Sequence, residues 1–165
     1  MKSCSFTGHR FIPKTHEKAL ESLLNRAIDY LYNEGIRDFY CGGALGFDTM
    51  AAKQLILKRM KNRDIKLILL LPCKNQDLKF SEIEKQMYSY ILSSADEIVI
   101  LSEEYTPTCM KKRNRALVEA CDVLVSYAYK KNSGAAQTIR MAIEEGKTVY
   151  NLYSKCEALS MNNLN

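Results

Sequence analysis

The chain has 165 residues, of which 47% are hydrophobic and 26% charged, a balance that excludes intrinsic disorder and suits one domain with a full-sized core. Its formal net charge of +5 is local, because Lys53, Lys58, Arg59, Lys61, Arg63 and Lys66 against Asp64 already carry the whole excess, and such a stretch reads as a solvated helix end before it reads as a nucleic-acid footprint. The opening MKSCSFTGHR has no apolar run, and the longest one, Ile65 to Pro72, is too short to cross a bilayer and contains Lys66, so neither a secretory signal nor a membrane span is expected and the cytoplasm is the expected location.

Short apolar runs alternate with amphipathic stretches along the chain. Ser3 to Thr7 reads as a first strand. Thr15 to Glu34 places Ala19, Leu20, Leu23, Leu24, Ala27, Ile28 and Leu31 at helical spacing, and Gly35 ends that helix. Asp38 to Cys41 is a short second strand, and Phe47 to Met60 a helix. Ile65 to Leu71 is a third strand, as rich in Ile and Leu as a strand buried on both faces should be. Phe80 to Ser93 is helical, Glu97 to Leu101 a fourth strand, Met110 to Ala120 helical and Asp122 to Tyr127 a fifth strand. Ala135 to Glu145 is a helix stopped by Gly146, and Thr148 to Leu152 is the last strand. The alternation predicts an α/β fold, a three-layer Rossmann-like parallel sheet with helices on both faces, over residues 1–153. Residues 154–165 read as a polar C-terminal tail prone to fraying.

Six cysteines, Cys4, Cys41, Cys73, Cys109, Cys121 and Cys156, accompany only two histidines, His9 and His16. Their spacing does not suit a zinc site, and no metal is expected. Reduced, buried thiols are the preferred reading, with Cys73 and Cys109 placed in loops.

Ligands of such sheets bind beyond the carboxyl ends of the strands, and several loops there are unusual. Thr7-Gly8-His9-Arg10 follows the first strand. A glycine there lets backbone approach a ligand and Arg10 offers a planar fork for phosphate, although a plain turn with a surface arginine would look the same. Gly42-Gly43-Ala44-Leu45-Gly46-Phe47-Asp48 follows the second strand and opens a helix, where backbone N–H groups favour anions. It lacks both the G-x-G-x-x-G spacing and the lysine of a P-loop. Asp48 either caps that helix or meets a ribose hydroxyl. Ser133-Gly134-Ala135-Ala136-Gln137-Thr138 follows the fifth strand and opens another helix. Before the fourth helix, Tyr105 is placed to stack on a base, and Arg113 and Asn114 to meet phosphate or a base edge. A basic helix start is otherwise mildly unfavourable beside the positive end of the dipole.

Together these loops resemble the YpsA-like branch of the SLOG superfamily. The matching pieces are Phe6 to Arg10, Gly42 to Asp48 with Ala51 and Ala52 behind it, Leu71-Pro72-Cys73 with Gln76, then Tyr105, Cys109-Met110, Arg113-Asn114 and Asp122 in family order. Ser133 to Ala142 stands in the place of the family's G-G-T-x-x-T segment, with Ser133 for its first Gly and Ala135 for its Thr. Phe80 stands where a Trp is common. The resemblance implies a Rossmann-like sheet that binds nucleotides or nucleotide-derived molecules such as ADP-ribose. Relatives include sensors of such ligands, Lonely-guy phosphoribohydrolases and DNA-processing protein A. The expected binding residues are Thr7, Gly8, His9, Arg10, Gly42, Gly43, Ala44, Gly46, Phe47, Asp48, Tyr105, Arg113, Asn114, Gly134, Ala135 and Thr138.

Three functions compete: binding or sensing of a nucleotide-type ligand, hydrolysis of an N-glycosidic or phosphate bond in one, and single-stranded nucleic-acid binding. No cofactor is required by any of them. The expected partners are a small nucleotide-like ligand and a further copy of the chain in a homo-oligomer, with nucleic acid less favoured. Lonely-guy chemistry is not expected. It needs a carboxylate near the anomeric carbon, which that family supplies three residues after the Thr of its helix start. Here Thr138 follows Ala135, Met141 follows Thr138, and Glu144 lies more than a turn further on. Asp48 is the candidate catalytic group, with Glu103 and Glu104 on a neighbouring loop.

Overall fold

The computed structural model describes residues 2–162. In chain order the elements are β1 (Ser3–Gly8), α1 (Lys14–Asn33), β2 (Asp38–Cys41), α2 (Phe47–Arg59), β3 (Lys66–Leu71), α3 (Glu82–Ser94), β4 (Glu97–Ile100), α4 (Cys109–Ala120), β5 (Val123–Tyr127), α5 (Gly134–Glu144), β6 (Thr148–Asn151) and α6 (Tyr153–Asn162). The six strands form one wholly parallel sheet in the order β4-β3-β2-β1-β5-β6. The chain starts in the middle, walks outward to β4, then returns through α4 to lay β5 beside β1. Right-handed crossovers therefore put α1, α2 and α3 on one face and α4 and α5 on the other. The direction of winding reverses between β1 and β5, which is where an open α/β sheet leaves a crevice at its carboxyl edge.

Residue type decides how the layers close. In β3, Leu67, Leu69 and Leu71 enter the main core, while Ile68 and Leu70 pack with Leu117 of α4 on the other side. Both faces are thus apolar, as a central parallel strand requires. β1 sends Cys4 and Phe6 into the main core. On its other face Ser5 donates its hydroxyl to the Leu117 carbonyl at 2.7 Å, so a small polar residue lets α4 lie close to the middle of the sheet.

Two expectations need correction. α3 starts at Glu82, not Phe80, because Ser81 caps it by accepting from the Glu84 N–H at 3.2 Å, and Ser81 and Glu84 have capping-box spacing. The expected polar tail is helix α6, packed on α1. Its anchor is Cys156, fully buried. Around it, His16 meets Tyr127 Oη through Nδ1 at 2.7 Å and Glu157 through Nε2 at 3.3 Å, and Ser160 donates to the Thr15 carbonyl at 2.8 Å. The end of the predicted tail, residues 163–165, lies outside the described residues.

The basic end of α2 lies at the amino edge of the sheet. Lys58 pairs with Asp29, Arg59 with Asp96, and Asp64 with Arg37. All six cysteines are buried and free. Cys109 opens α4 instead of lying in the loop before it. No described helix is long and apolar enough to cross a membrane.

Candidate ligand-binding site

The crevice at the carboxyl edge opens into a cavity of about 720 Å³. Of the residues expected from sequence, Thr7, Gly8, His9, Arg10, Ala44, Asp48, Tyr105, Arg113, Asn114, Gly134 and Ala135 line it. Gly42, Gly43, Gly46, Phe47 and Thr138 stand behind the wall. The connection from β3 to α3 adds Pro72, Cys73, Asn75, Gln76, Leu78, Lys79 and Phe80, with Leu45, Met110 and Ser133 elsewhere on the lining. Asn75, Leu78 and Lys79 had carried no site reading at all. The length of that connection at the ligand-binding edge was the available signal.

The glycines of the first two loops serve the protein itself. A Cβ at Gly8 would stand 2.5 Å from the Phe47 ring, and one at Gly42 would stand 2.5 Å from Arg113 Nη1. Gly46 takes φ +81° and its missing Cβ would overlap the Arg10 carbonyl, so no other residue fits that turn without strain. These glycines bring the loops together, and Gly8 also lines the cavity. Gly134, at the third loop, has more room, with Asn114 Nδ2 at 3.5 Å from where its Cβ would be.

Asp48 does not cap α2. Gly46 holds the capping position, and no side chain caps that helix. Instead Asp48, 4% exposed, accepts from the Ala44 N–H through Oδ2 at 3.3 Å and so braces the glycine loop. Burial pushes its carboxyl up to about 6, against the opposing pull of Arg113 and the backbone N–H groups of Ala44 and Gly42.

Arg113 is 5% exposed. Its Nη1 donates to the Gly42 carbonyl at 2.6 Å and its Nε to Asn114 Oδ1 at 2.8 Å. Among the described residues it belongs to no ion pair. Burial weakens its hold on its proton while Asp48 strengthens it, and a guanidinium stays charged under such conditions. Arg10 is different. Its side chain is 70% exposed and only loosely paired, 3.8 Å from Glu84.

His9 is a brace. Its Nε2 accepts from the N–H groups of Tyr129 and Lys130 at 2.8 and 3.1 Å, which places its proton on Nδ1. Burial first, and Lys130 second, lower its pKa and favour that neutral form. Thr138 turns its hydroxyl back to the Gly134 carbonyl at 2.7 Å. Ser133 caps α5 by accepting from the Ala136 N–H. On the opposite wall Gln76 Nε2 donates to the Gly43 carbonyl at 3.1 Å. A carbonyl cannot donate, so the amide orientation is fixed, and among the described residues Gln76 Oε1 has no partner, like Asn75 Oδ1. Burial, then the neighbouring Cys109, push the Cys73 thiol up, which does not suit a nucleophile. Among the described residues no cluster of His, Cys, Asp and Glu is arranged to hold a metal ion.

Comparison with known proteins gives two kinds of likeness. The family model described as the YspA SLOG family matches residues 13–162. Protein YoqJ, prophage-derived, of Bacillus subtilis (strain 168) is 28% identical over 137 residues, covering 76% of this chain and 80% of its own. A UPF0398 protein of Bacillus thuringiensis (strain Al Hakam) is 24% identical over 139 residues, 83% of this chain and 76% of that one. Among solved structures, DNA processing protein A from Streptococcus pneumoniae is similar with a TM-score of 0.65 at 24% identity, over 90% of this chain and 49% of that one. Its counterpart from Helicobacter pylori gives 0.65 at 20% identity, over 90% and 63%. The chain thus spans about half of the first protein and under two thirds of the second, and at these identities the likeness is one of fold.

Proposed function

We propose that this chain, which belongs to the YspA SLOG family, binds a nucleotide or nucleotide-derived ligand in the carboxyl-edge cavity, with the ligand's anionic group between Arg113 and the start of α5. The observation that carries this reading is Arg113, a guanidinium buried on the cavity wall without an ion pair among the described residues. The buried Asp48 carboxyl, pushed up to about 6, is its one neighbouring acid and makes no direct ion pair with it among the described residues, so an anion in the cavity would further offset the cost of burying that charge. Both α4 and α5 point their amino ends at the same space and carry no acid in their first turns, which leaves the positive ends of their dipoles uncompensated. SLOG domains in general bind nucleotide-derived ligands. Leu78, Phe80, Tyr105 and Met110 offer apolar and aromatic surface for a base.

The test is native mass spectrometry of protein purified without added ligand, followed by titration with AMP, ADP and ADP-ribose. A retained or titratable nucleotide is expected. Protein that retains none and gives no binding heat with any of the three contradicts the reading.

A second reading, hydrolysis of the ligand, is favoured by one observation. Asp48 lines the cavity with a carboxyl near 6, the range in which a group serves as general acid or base at neutral pH. Lonely-guy chemistry has less support, because the first turn of α5 carries no acid. Incubation with AMP and ADP-ribose, with chromatography for released base or phosphate, distinguishes the readings. Release that disappears in Asp48→Asn favours hydrolysis, and stable ligand over prolonged incubation favours binding alone.

A further inference from the structure

We infer that Asn114 is the side chain that recognises the phosphate of the ligand and that Arg113 is the positioning residue that aims it. The inference rests on the nucleotide reading of the cavity given above. Hydrogen-bond chemistry fixes which end of the Asn114 amide faces the ligand. Arg113 Nε can only donate, so the Asn114 atom 2.8 Å from it is the acceptor Oδ1. Arg113 is itself fixed at its far end by the Gly42 carbonyl. Nδ2 is therefore turned away, toward the start of α5, where it lies 3.5 Å from the place of a Gly134 Cβ. Asn114 is 9% exposed and lines the cavity, and among the described residues its Nδ2 has no partner.

The backbone of α5 supplies the second, independent observation. The first N–H groups of a helix have no acceptor within it. Here Ser133 Oγ takes the Ala136 N–H and the Ser133 carbonyl takes the Gln137 N–H. The N–H groups of Gly134 and Ala135 remain. They share one corner of the cavity with Asn114 Nδ2. The two hydroxyls at this helix start are already committed, Thr138 Oγ1 donating to the Gly134 carbonyl and Ser133 Oγ to the Lys130 carbonyl. Asn114 Nδ2 and the two N–H groups thus make three donors in one part of the cavity lining, beside a buried positive charge. That set matches a tetrahedral oxyanion and recognises a terminal phosphate group better than a sugar hydroxyl, which also needs an acceptor. Arg113 thus contributes charge from the cavity wall and holds the amide that makes the contact.

Calorimetry on the full chain with AMP and with adenosine tests this, since the two differ only in the phosphate. In Asn114→Ala, AMP affinity is expected to fall about tenfold or more while adenosine affinity stays within about twofold of the original. Asn114→Asp keeps an acceptor for Arg113 Nε but presents an oxygen where Nδ2 was. It is expected to lose AMP more completely at an unchanged or higher thermal midpoint. Arg113→Lys keeps the charge but removes the Nε–H that orients the amide, so its preference for AMP over adenosine is expected to shrink. Wild-type discrimination retained in Asn114→Ala overturns the assignment of Asn114, and parallel loss of AMP and adenosine reassigns it to cavity support. Full discrimination in Arg113→Lys overturns the positioning role. A wild-type protein that binds AMP no better than adenosine overturns the phosphate assignment, and one that binds none of AMP, ADP and ADP-ribose overturns the nucleotide reading itself.

Discussion

Asp48 and Arg113 face each other across the glycine loop, and the fold treats their charges differently. A guanidinium keeps its proton when buried, whereas a carboxyl can shed its charge by taking one up. Burial raises the Asp48 pKa from 3.8 to about 6, so the fold favours the protonated form. The sign follows from linkage: the stabilising contribution is full below about 3.8 and is lost as pH rises to about 6. In urea unfolding, Asp48→Asn is therefore expected to gain ~2–3 kcal/mol on the wild type between pH 4 and pH 7.5. A stability difference that is the same at both pH values contradicts that assignment. Gly8 offers a second test at this scale. A Cβ there would press into the Phe47 ring at 2.5 Å, so Gly8→Ala is expected to cost about 1–3 kcal/mol by overpacking, read from the thermal midpoint. Arg10 and Arg113 were indistinguishable as candidate phosphate ligands in the sequence, yet one is exposed and the other buried. The signal that separates them was present: Cys109, Arg113, Asn114, Leu117 and Val118 form the buried stripe of α4 at helical spacing. An arginine in a buried stripe is a positioned charge.

Elements with a strong apolar period were legible to within one or two residues, because burial of one face is what selects them. α6 was not, since its anchor is a single cysteine and its other ties are hydrogen bonds and aromatic contacts made by Tyr153, Glu157 and Ser160. Periodicity detects apolar faces and is blind to a helix held by polar ties. Ending the chain at Leu152 removes the cover over Tyr127 and His16 and the packing of Tyr153 against both. That truncation is expected to cost about 3 kcal/mol or more, a fall of roughly 6–12 °C in thermal midpoint. An unchanged midpoint would show α6 to be dispensable. In the loop from β3 to α3, Cys73 and Gln76 belonged to the resemblance, but Asn75, Leu78 and Lys79 carried no signal of the cavity they line, for another reason. The loop has no periodic apolar pattern, and one of its ties to the site is the Gln76 contact to Gly43, 33 residues away.

At the scale of the molecule, the sheet separates two charge environments. The amino edge carries the basic end of α2, where Lys58 and Arg59 already have acidic partners. The carboxyl edge holds the cavity and Arg113, a buried cation with no direct ion pair among the described residues. Single-stranded DNA is therefore expected to bind weakly, and to lose that binding steeply between 50 and 200 mM salt, as a backbone-charge contact does (~10³-fold or more). Tight binding at physiological salt that is abolished by replacing Lys58, Arg59 and Lys61 would move the function to the other edge. The most direct test of the central claim is a titration of isotope-labelled protein with AMP and ADP-ribose, following backbone amide shifts by NMR. Saturable shifts are expected at Gly8 to Arg10, Ala44, Asn114, Gly134 and Ala135, with residues 53–66 unmoved. Shifts confined to residues 53–66, or no saturable shift with either ligand, would contradict it.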